Sequence, residues 1–215
     1  SNERARDLFK GMVERGIHKD WLGFTALNIS QDPETLDYMA KSGNFGMLVG
    51  IESTNETVLK KMNKQVNLKL GTDSYFDCIQ KIHNAGLVVW GSVVFGADGD
   101  DKDSFKRMTD FILENNIDIL TFGINCPFPK TQLYARLDSE KRIFRKNYPE
   151  DWQYYDTAHV VHRFVDMTLE DFIEGMQYIY DHIYASDNLR TRFRNSIKTT
   201  KNPRNSMFAF RVGSD

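Results

Sequence analysis

The feature that most constrains the fold of this chain is a repeated order of one apolar strand followed by one helix. The order occurs four times, with predicted strands at residues 24–29, 47–51, 87–95 and 117–124. These strands are almost free of charged residues, as is typical of parallel strands covered on both faces. Strands that alternate with helices predict right-handed βαβ units and a parallel sheet. Four such strands are half of an eight-stranded barrel, so the predicted fold class is α/β, a partial (βα) barrel.

Capping residues indicate where the helices begin. Asp32 followed by Pro33 is typical of an N-cap and a first helical position, and predicts a helix that continues to residue 41. Ser53 and Glu56 have the spacing of a capping box, which predicts another helix directly after the strand at residues 47–51. The predicted strands and helices therefore follow one another with short connections.

The pattern changes after residue 130, and we predict two domains, the partial barrel at residues 1–130 and a mainly helical extension at residues 131–215. Residues 168–185 form a strongly amphipathic pattern that begins with the capping pair Thr168 and Asp171. From Asp187 onward the chain is basic and has no apolar period after Phe193. A charge run of this kind is usually solvated, so nucleic-acid binding is not expected.

Composition excludes several classes of protein. Of 215 residues, 40% are hydrophobic and the formal net charge is −2, which gives no overall attraction to nucleic acid or anionic lipid. No apolar run approaches the roughly 18 residues of a membrane span, so we predict a cytoplasmic protein. The only two cysteines, Cys78 and Cys126, indicate neither a disulfide framework nor a metal site.

Candidate binding residues stand where the predicted strands end. In parallel βα folds, ligands bind at the carboxyl ends of the strands. Glu52 follows a buried strand directly. A carboxylate at this position would pack poorly in an apolar core, but it could bind a ligand where the strand reaches the surface. Its alternative role is a strand-end carboxylate bonded to nearby backbone amides. Ser53 can likewise contact a ligand or serve only as a helix cap.

Three segments in a fixed order resemble a known family. GIES with NETVLKKMNK (50–64), IHNAGLVVWGSVVFGADGDD (82–101) and INCPFPKTQLYARL (124–137) resemble the second half of a radical S-adenosylmethionine enzyme core. The resemblance covers nearly the whole chain. It is closest to the branch that carries an N-terminal cobalamin-binding domain and a C-terminal extension after the barrel.

The resemblance implies a set of cofactor-binding residues. Glu52 and Ser53 lie where such enzymes contact the methionyl or ribose groups of S-adenosylmethionine. Residues 91–98 resemble the glycine stretch whose backbone approaches the adenine. From this stretch the predicted cofactor-binding residues are Gly91, Gly96 and Asp98. Asn125, at the end of the last predicted strand, is the remaining member of the set. The alternative role of the glycines is structural, in a strand and turn where a larger side chain would not fit. Lys130 stands where the family usually has glycine, and lysine resists the positive φ that glycine tolerates.

The extension supplies the candidate substrate residues. Trp152, Tyr155 and His159 are predicted to line a substrate pocket, and their alternative is a satellite core laid over the barrel. No catalytic residue is predicted. The substrate class expected is an unidentified small molecule.

The family's cluster-binding Cys-x3-Cys-x2-Cys motif does not occur in this sequence. Three thiolates hold a [4Fe-4S] cluster that leaves one iron open, so we expect this chain to bind no cofactor and to be inactive alone. The parent enzyme would carry the cluster, S-adenosylmethionine and cobalamin. Its missing N-terminal part is the expected partner. The strand at residues 24–29 would then lie at an open sheet edge, through which the chain could self-associate.

Two other functions remain open. One is a non-catalytic α/β domain whose polar mouth binds a nucleotide or a partner protein. The other is an ordinary metal-independent βα enzyme, for which the sequence offers no nucleophile and base pair. A cysteine triad in the upstream coding sequence would favour the radical enzyme over the binding domain.

Overall fold

The computed structural model describes residues 2–214, and its centre is one parallel sheet. The strands of this sheet lie in the order β1, β2, β3, β4. Their bounds are β1 Trp21–Thr25, β2 Asn44–Glu52, β3 Val88–Phe95 and β4 Ile119–Ile124. Each neighbouring pair is parallel, which confirms the predicted partial (βα) barrel.

Helices surround the sheet and make up most of the C-terminal part. Their bounds are α1 Asn2–Glu14, α2 Pro33–Lys41, α3 Glu56–Lys61, α4 Gln65–Leu70, α5 Tyr75–Asn84, α6 Ser104–Glu114, α7 Gln132–Ser139, α8 Leu169–Ile183, α9 Ser186–Thr200 and α10 Pro203–Ser214. Three short 3-10 helices lie at Leu27–Gln31, Thr72–Ser74 and Glu150–Tyr154. A mainly helical extension is therefore confirmed. No helix within residues 2–214 is both long and apolar enough to cross a bilayer.

The predicted bounds of the first strand are wrong, but its position at an edge is confirmed. The strand occupies Trp21–Thr25, and the apolar residues after it form the 3-10 helix Leu27–Gln31. Leu27 and Ile29 are buried there, two residues apart, which imitates the spacing of a strand. Within the described part of the chain β1 pairs only with β2, and Phe24 on it is 78% exposed.

The two faces of the sheet have different environments. Met47, Val49 and Ile51 of β2 are buried in the main core, which the surrounding helices complete. Leu48 and Gly50 alternate with them and face the opposite side, where they line an open cavity. The open face is the one that a complete barrel would enclose.

Helix α10 covers the lower part of that open face. Its Ala209 is buried against Val88, Ile119 and the half-buried Trp90, which form a second small apolar cluster. The strand residues of this cluster lie at the amino ends of β3 and β4. The carboxyl ends of the strands remain free to form a binding mouth.

Two predicted caps are confirmed and a third is wrong. The Asp32 side chain accepts from the Thr35 amide at the start of α2, with Pro33 as the first helical residue. The Thr168 hydroxyl accepts from the Asp171 amide, and the Asp171 carboxylate accepts from the Thr168 amide, as expected of a capping box. Helix α3 begins instead with Asn55 as its N-cap, whose side chain accepts from the Thr57 amide. The box predicted for Ser53 and Glu56 is wrong because the helix begins two residues later than the predicted cap, after a longer turn at the end of β2.

Candidate functional site

The carboxyl ends of β3 and β4 open onto a cavity of about 490 Å³, which we call the mouth cavity. Val94, Asp98 and Asn125 line it from the strand ends, and Arg136 lines it from α7. A second cavity of about 480 Å³, the sheet-face cavity, lies over Phe24, Leu48, Gly50, Glu52 and Ser92 on the open face of the sheet. Asn63 and Lys64 line both cavities, so the two are neighbours on one side of the sheet.

Glu52 has an unusual backbone at the end of β2. Its φ is +64°, a left-handed conformation that costs a non-glycine residue about 1–2 kcal/mol. The pairing register with β3 shifts between Gly50 and Glu52, so the strand bulges there. An added Cβ on Gly50 would lie 2.7 Å from Glu52 Oε1, which means that the carboxylate folds back over this glycine.

The Glu52 carboxylate forms an ion pair with Lys64. The Lys64 Nζ lies 2.5 Å from Glu52 Oε1, and the Glu52 side chain is 13% exposed. Glu52 Oε2 has no hydrogen-bond partner among residues 2–214. One carboxylate oxygen is therefore available to a ligand at the sheet-face cavity.

Asn67 and Tyr75 hold the end of β2 in place. The Asn67 side-chain amide nitrogen lies 3.0 Å from the Gly50 carbonyl and 3.2 Å from the Ile51 carbonyl. It also lies 2.8 Å from the Tyr75 hydroxyl oxygen. Burial raises the pKa of Tyr75 to about 12, so this hydroxyl stays neutral. No local pattern predicts a role for Lys64 or Asn67, because their proximity to the end of β2 depends on how α3 and α4 turn back toward the sheet.

Ser53 is buried and already bonded within the chain. Its hydroxyl oxygen accepts from the Asn55 amide at 3.1 Å, in the turn that leads into α3. Neither the mouth cavity nor the sheet-face cavity includes Ser53 in its lining. Its predicted contact with a ligand stays a prediction.

The two predicted glycines make room for other side chains. A Cβ on Gly91 would lie 2.8 Å from Ile51 Cδ1 and 3.0 Å from Ile117 Cγ2, on the helix-covered face. A Cβ on Gly96 would lie 2.5 Å from the Phe164 ring, and Gly96 has a φ of +84°. Both observations fit the alternative of glycines that need room, and an approach of adenine to this backbone stays a prediction.

Asp98 and Asp100 lie in the same loop and have opposite pKa shifts. Burial raises the pKa of Asp98, but the hydrogen bonds and charges of Arg142 and Arg136 outweigh it and hold the pKa at about 2. Burial raises the pKa of Asp100 to about 6, and hydrogen bonds from the Ala97 and Gly96 amides oppose the rise only in part. Asp98 is therefore ionised at neutral pH, with both oxygens bound to arginine.

Asn125, Cys126 and Lys130 lie where the chain leaves β4. The Asn125 amide donates to the Phe95 carbonyl at 2.8 Å, and the residue lines the mouth cavity together with Cys126. Burial raises the pKa of the Cys126 thiol, so it remains protonated at neutral pH. Lys130 has a φ of +67°, the conformation in which glycine carries the smallest cost. The turn thus keeps a glycine-like backbone although it contains lysine.

The three predicted substrate residues have different environments and do not share a cavity. Trp152 is 51% exposed and packs edge-on against Tyr148. Tyr155 is buried and donates its hydroxyl to the Arg145 carbonyl at 2.5 Å, whereas the exposed His159 bonds to Asp156. Neither cavity has any of the three in its lining. Thr157 of the same segment does line the mouth cavity, although no motif in the sequence indicates this.

No metal site is evident in the described chain. Residues 2–214 contain no group of three or more His, Cys, Asp and Glu side chains placed to hold a metal ion. Cys78 is buried in α5 and Cys126 lies at the mouth cavity. These two thiols do not form a ligand set for an iron–sulfur cluster.

Comparisons with known proteins give one family match and several curated relatives. A family described as a domain of unknown function (DUF4070) matches residues 131–211. Bacteriochlorophyllide d C-12(1)-methyltransferase of Chlorobaculum tepidum is 28% identical over 188 residues, which are 87% of this chain and 39% of that protein. Hopanoid C-2 methylase of Rhodopseudomonas palustris is 31% identical over 66% of this chain and 27% of its own length. The chain thus spans well under half of these relatives.

Two solved structures share the fold. One is the cobalamin-dependent S-adenosylmethionine radical enzyme OxsB, with aqua-cobalamin and S-adenosylmethionine bound. Its TM-score with this chain is 0.57 at 13% identity, and the match covers 98% of this chain and 35% of the OxsB chain. The radical S-adenosylmethionine methyltransferase TsrM from Kitasatospora setae, with tryptophan substrate and aza-SAM bound, has a TM-score of 0.53 at 15% identity. It covers 66% of this chain and 28% of that one. At these identities the likeness shows the fold alone.

Proposed function

This chain matches the C-terminal part of the cobalamin-dependent radical S-adenosylmethionine methyltransferases, and we propose that it forms part of the S-adenosylmethionine and substrate site of such an enzyme. It would contribute strands that correspond to the second half of the barrel, together with the extension after it. Its relatives include methyltransferases, so methyl transfer to a small molecule is the proposed reaction of the whole enzyme.

The strained Glu52 is the observation that carries this proposal. A residue held in a costly backbone conformation at a strand end persists only where its surroundings fix it, and such residues concentrate at ligand sites. S-adenosylmethionine presents an ammonium group and ribose hydroxyls, which a carboxylate can pair with or accept from. Glu52 Oε2 is available for either contact, since only Oε1 is bound to Lys64.

In the proposed enzyme, this chain and the remaining part of the enzyme would hold different cofactors. Once bound, the cluster and cobalamin would supply electrons and a methyl carrier, which is chemistry that no side chain provides. Cys78 and Cys126 do not fit a cluster, so its ligands would come from another part of the enzyme and this chain alone would be inactive. The side chains that line the mouth cavity would bind and orient S-adenosylmethionine and the substrate, and would exclude water.

The test uses the full-length enzyme that contains this chain, purified without oxygen and reconstituted with iron and sulfide. We expect 5′-deoxyadenosine to be released from S-adenosylmethionine under reduction, and Glu52→Ala to abolish the release while the cluster remains. Glu56→Ala is the matched control, because Glu56 is an exposed carboxylate whose ion-pair partner is Lys60 on the same helix. A full-length enzyme that holds no cluster and releases nothing would overturn the proposal.

A further inference from the structure

The loop between β3 and α6, residues 96–101, bends sharply at the mouth of the sheet. Gly96 and Gly99 have φ values of +84° and +99°. Asp100 Oδ2 accepts from the Gly96 amide at 3.0 Å and from the Ala97 amide at 3.2 Å. The loop thus has an internal bond of its own, and Ala97 and Asp98 form part of the wall of the mouth cavity.

Two arginines of the extension hold this loop through Asp98. Arg136 Nη1 lies 2.5 Å from Asp98 Oδ2, and Arg142 Nη2 lies 2.7 Å from Asp98 Oδ1. Arg142 is only 12% exposed, and its other nitrogens donate to Glu140 at 2.8 Å and to the Arg163 carbonyl at 3.0 Å. The contacts with Glu140 and the Arg163 carbonyl therefore fix the Arg142 guanidinium within the extension. Its charge-assisted hydrogen bond to Asp98 then holds the loop in place.

Three more side chains of the extension contact the loop backbone. His162 Nε2 lies 3.3 Å from the Gly96 carbonyl oxygen, and burial lowers the pKa of His162, so the ring is neutral and donates from Nε2. The Phe164 ring occupies the space that a Gly96 side chain would need. Asp166 Oδ2 accepts from the Gly99 amide at 3.2 Å.

These five side chains reach different atoms of one short loop. They contact the carboxylate of Asp98, the carbonyl and Cα of Gly96 and the amide of Gly99, so the loop cannot shift without breaking several contacts at once. All five belong to the segment matched by the family of unknown function. The charged, polar and aromatic contacts of residues 136–166 therefore converge on the wall of the mouth cavity.

We propose that residues 136–166 of this segment act as a brace that positions the β3–α6 loop for S-adenosylmethionine, with Arg142 and His162 as positioning residues. The proposal rests on the proposed function, because it takes the loop to be part of the S-adenosylmethionine site. It gives the extension a role on the cofactor side of the mouth, in addition to any contact with substrate.

The first measurement is amide hydrogen exchange on the full-length enzyme that contains this chain. We expect Arg142→Ala and His162→Leu to speed exchange across residues 96–101 by about tenfold or more, which corresponds to about 1.4 kcal/mol of lost local stability. Exchange in β2 should not change, which shows that the variants are folded. Arg107→Ala is the matched control, because it removes an exposed ion pair with Asp101 on the same loop from the barrel side.

The second measurement is the dissociation constant for S-adenosylmethionine in the reconstituted enzyme without reductant. Arg142→Ala and His162→Leu should weaken binding about tenfold, whereas His162→Gln, which keeps a side-chain N–H donor, should restore most of the affinity. Unchanged loop exchange overturns the brace, and so does faster exchange with unchanged affinity. A wild-type enzyme that does not bind S-adenosylmethionine overturns the proposed function instead, and exchange then decides whether the extension holds the loop.

Discussion

At the scale of single residues, Gly50, Glu52 and Lys64 act as one unit. The missing side chain of Gly50 lets the Glu52 carboxylate fold over the strand, and Lys64 holds it there. The sequence predicted Glu52 from its place at a strand end, which depends only on local pattern. It could not predict the positive φ or the lysine partner, because both depend on the bulge in β2 and on the return of α3 and α4 toward the sheet.

The first prediction separates the backbone of Glu52 from its carboxylate. Glycine adopts positive φ at little steric cost and alanine does not, so Glu52→Gly should be more stable than Glu52→Ala by about 1 kcal/mol. Both should lose binding of S-adenosylmethionine in the full-length enzyme. Urea denaturation of the two variants and equilibrium dialysis of S-adenosylmethionine test this. Equal stabilities would contradict the strain, and binding retained by Glu52→Gly would contradict the role of the carboxylate.

The second prediction concerns the buried carboxyl of Asp100. Its pKa is raised to about 6 in the folded chain from 3.8, so its contribution to stability is present below about pH 4 and is lost as the pH rises to about 6. Asp100→Asn does not titrate. The free energy of unfolding of Asp100→Asn relative to wild type should therefore increase by about 2–3 kcal/mol between pH 4 and pH 7.

Urea midpoints of both proteins across this pH range measure the difference. Asp73→Asn serves as the control for the loss of one carboxylate outside this loop, because Asp73 lies in the 3-10 helix Thr72–Ser74. A difference between Asp100→Asn and wild type that does not change with pH would show that the pKa of Asp100 is not raised.

At the scale of elements, α9 shows why part of the fold was not predicted from the sequence. The residues that α9 buries are Arg192, Ser196 and Thr200, spaced four apart along one face. A polar face at helical spacing gives no hydrophobic period, so the segment was interpreted as a basic, solvated run. The strands and α8 were predicted because their buried residues are apolar, and only the tertiary structure shows that α9 packs through hydrogen bonds.

The third prediction tests the polar packing of α9. The buried Arg192 guanidinium donates to the Ile117 and Ile183 carbonyls, each at 3.0 Å, and so joins α9 to the connection before β4 and to α8. Arg192→Met should lower the free energy of unfolding by about 2 kcal/mol, since two buried carbonyls lose a charged donor. Arg194→Met, on the exposed side of the same helix, should change it by less than about 0.5 kcal/mol. Equal effects in urea denaturation would show that Arg192 does not join these elements.

At the scale of the whole molecule, the sheet is open along β1, and the face that a full barrel would enclose carries the sheet-face cavity. The alternation of strands and helices predicted the fold class, because each βα unit is a local pattern. The open edge was predicted instead from the resemblance to a family whose first barrel strands do not occur in this sequence. The mouth cavity was not predicted in full, since Arg136 and Thr157 reach it from an extension whose path the sequence does not reveal.

The last prediction follows from the open edge. A strand with unpaired backbone groups and an exposed aromatic side chain pairs readily with another chain, and a charge placed on it opposes that pairing. Within the described residues β1 has a free edge, and Phe24 on it is 78% exposed. The isolated chain should therefore form dimers or larger species at tens of micromolar, and Phe24→Lys should shift it toward monomer.

Sedimentation velocity across a concentration series measures this self-association. Leu8→Lys is the matched control, because Leu8 is 59% exposed on α1 and not on the sheet edge, and this variant should associate as the wild type does. If both lysines abolish association equally, the driving force is general surface hydrophobicity and not pairing at β1. If only Phe24→Lys does so, the edge of β1 is the surface that binds another strand.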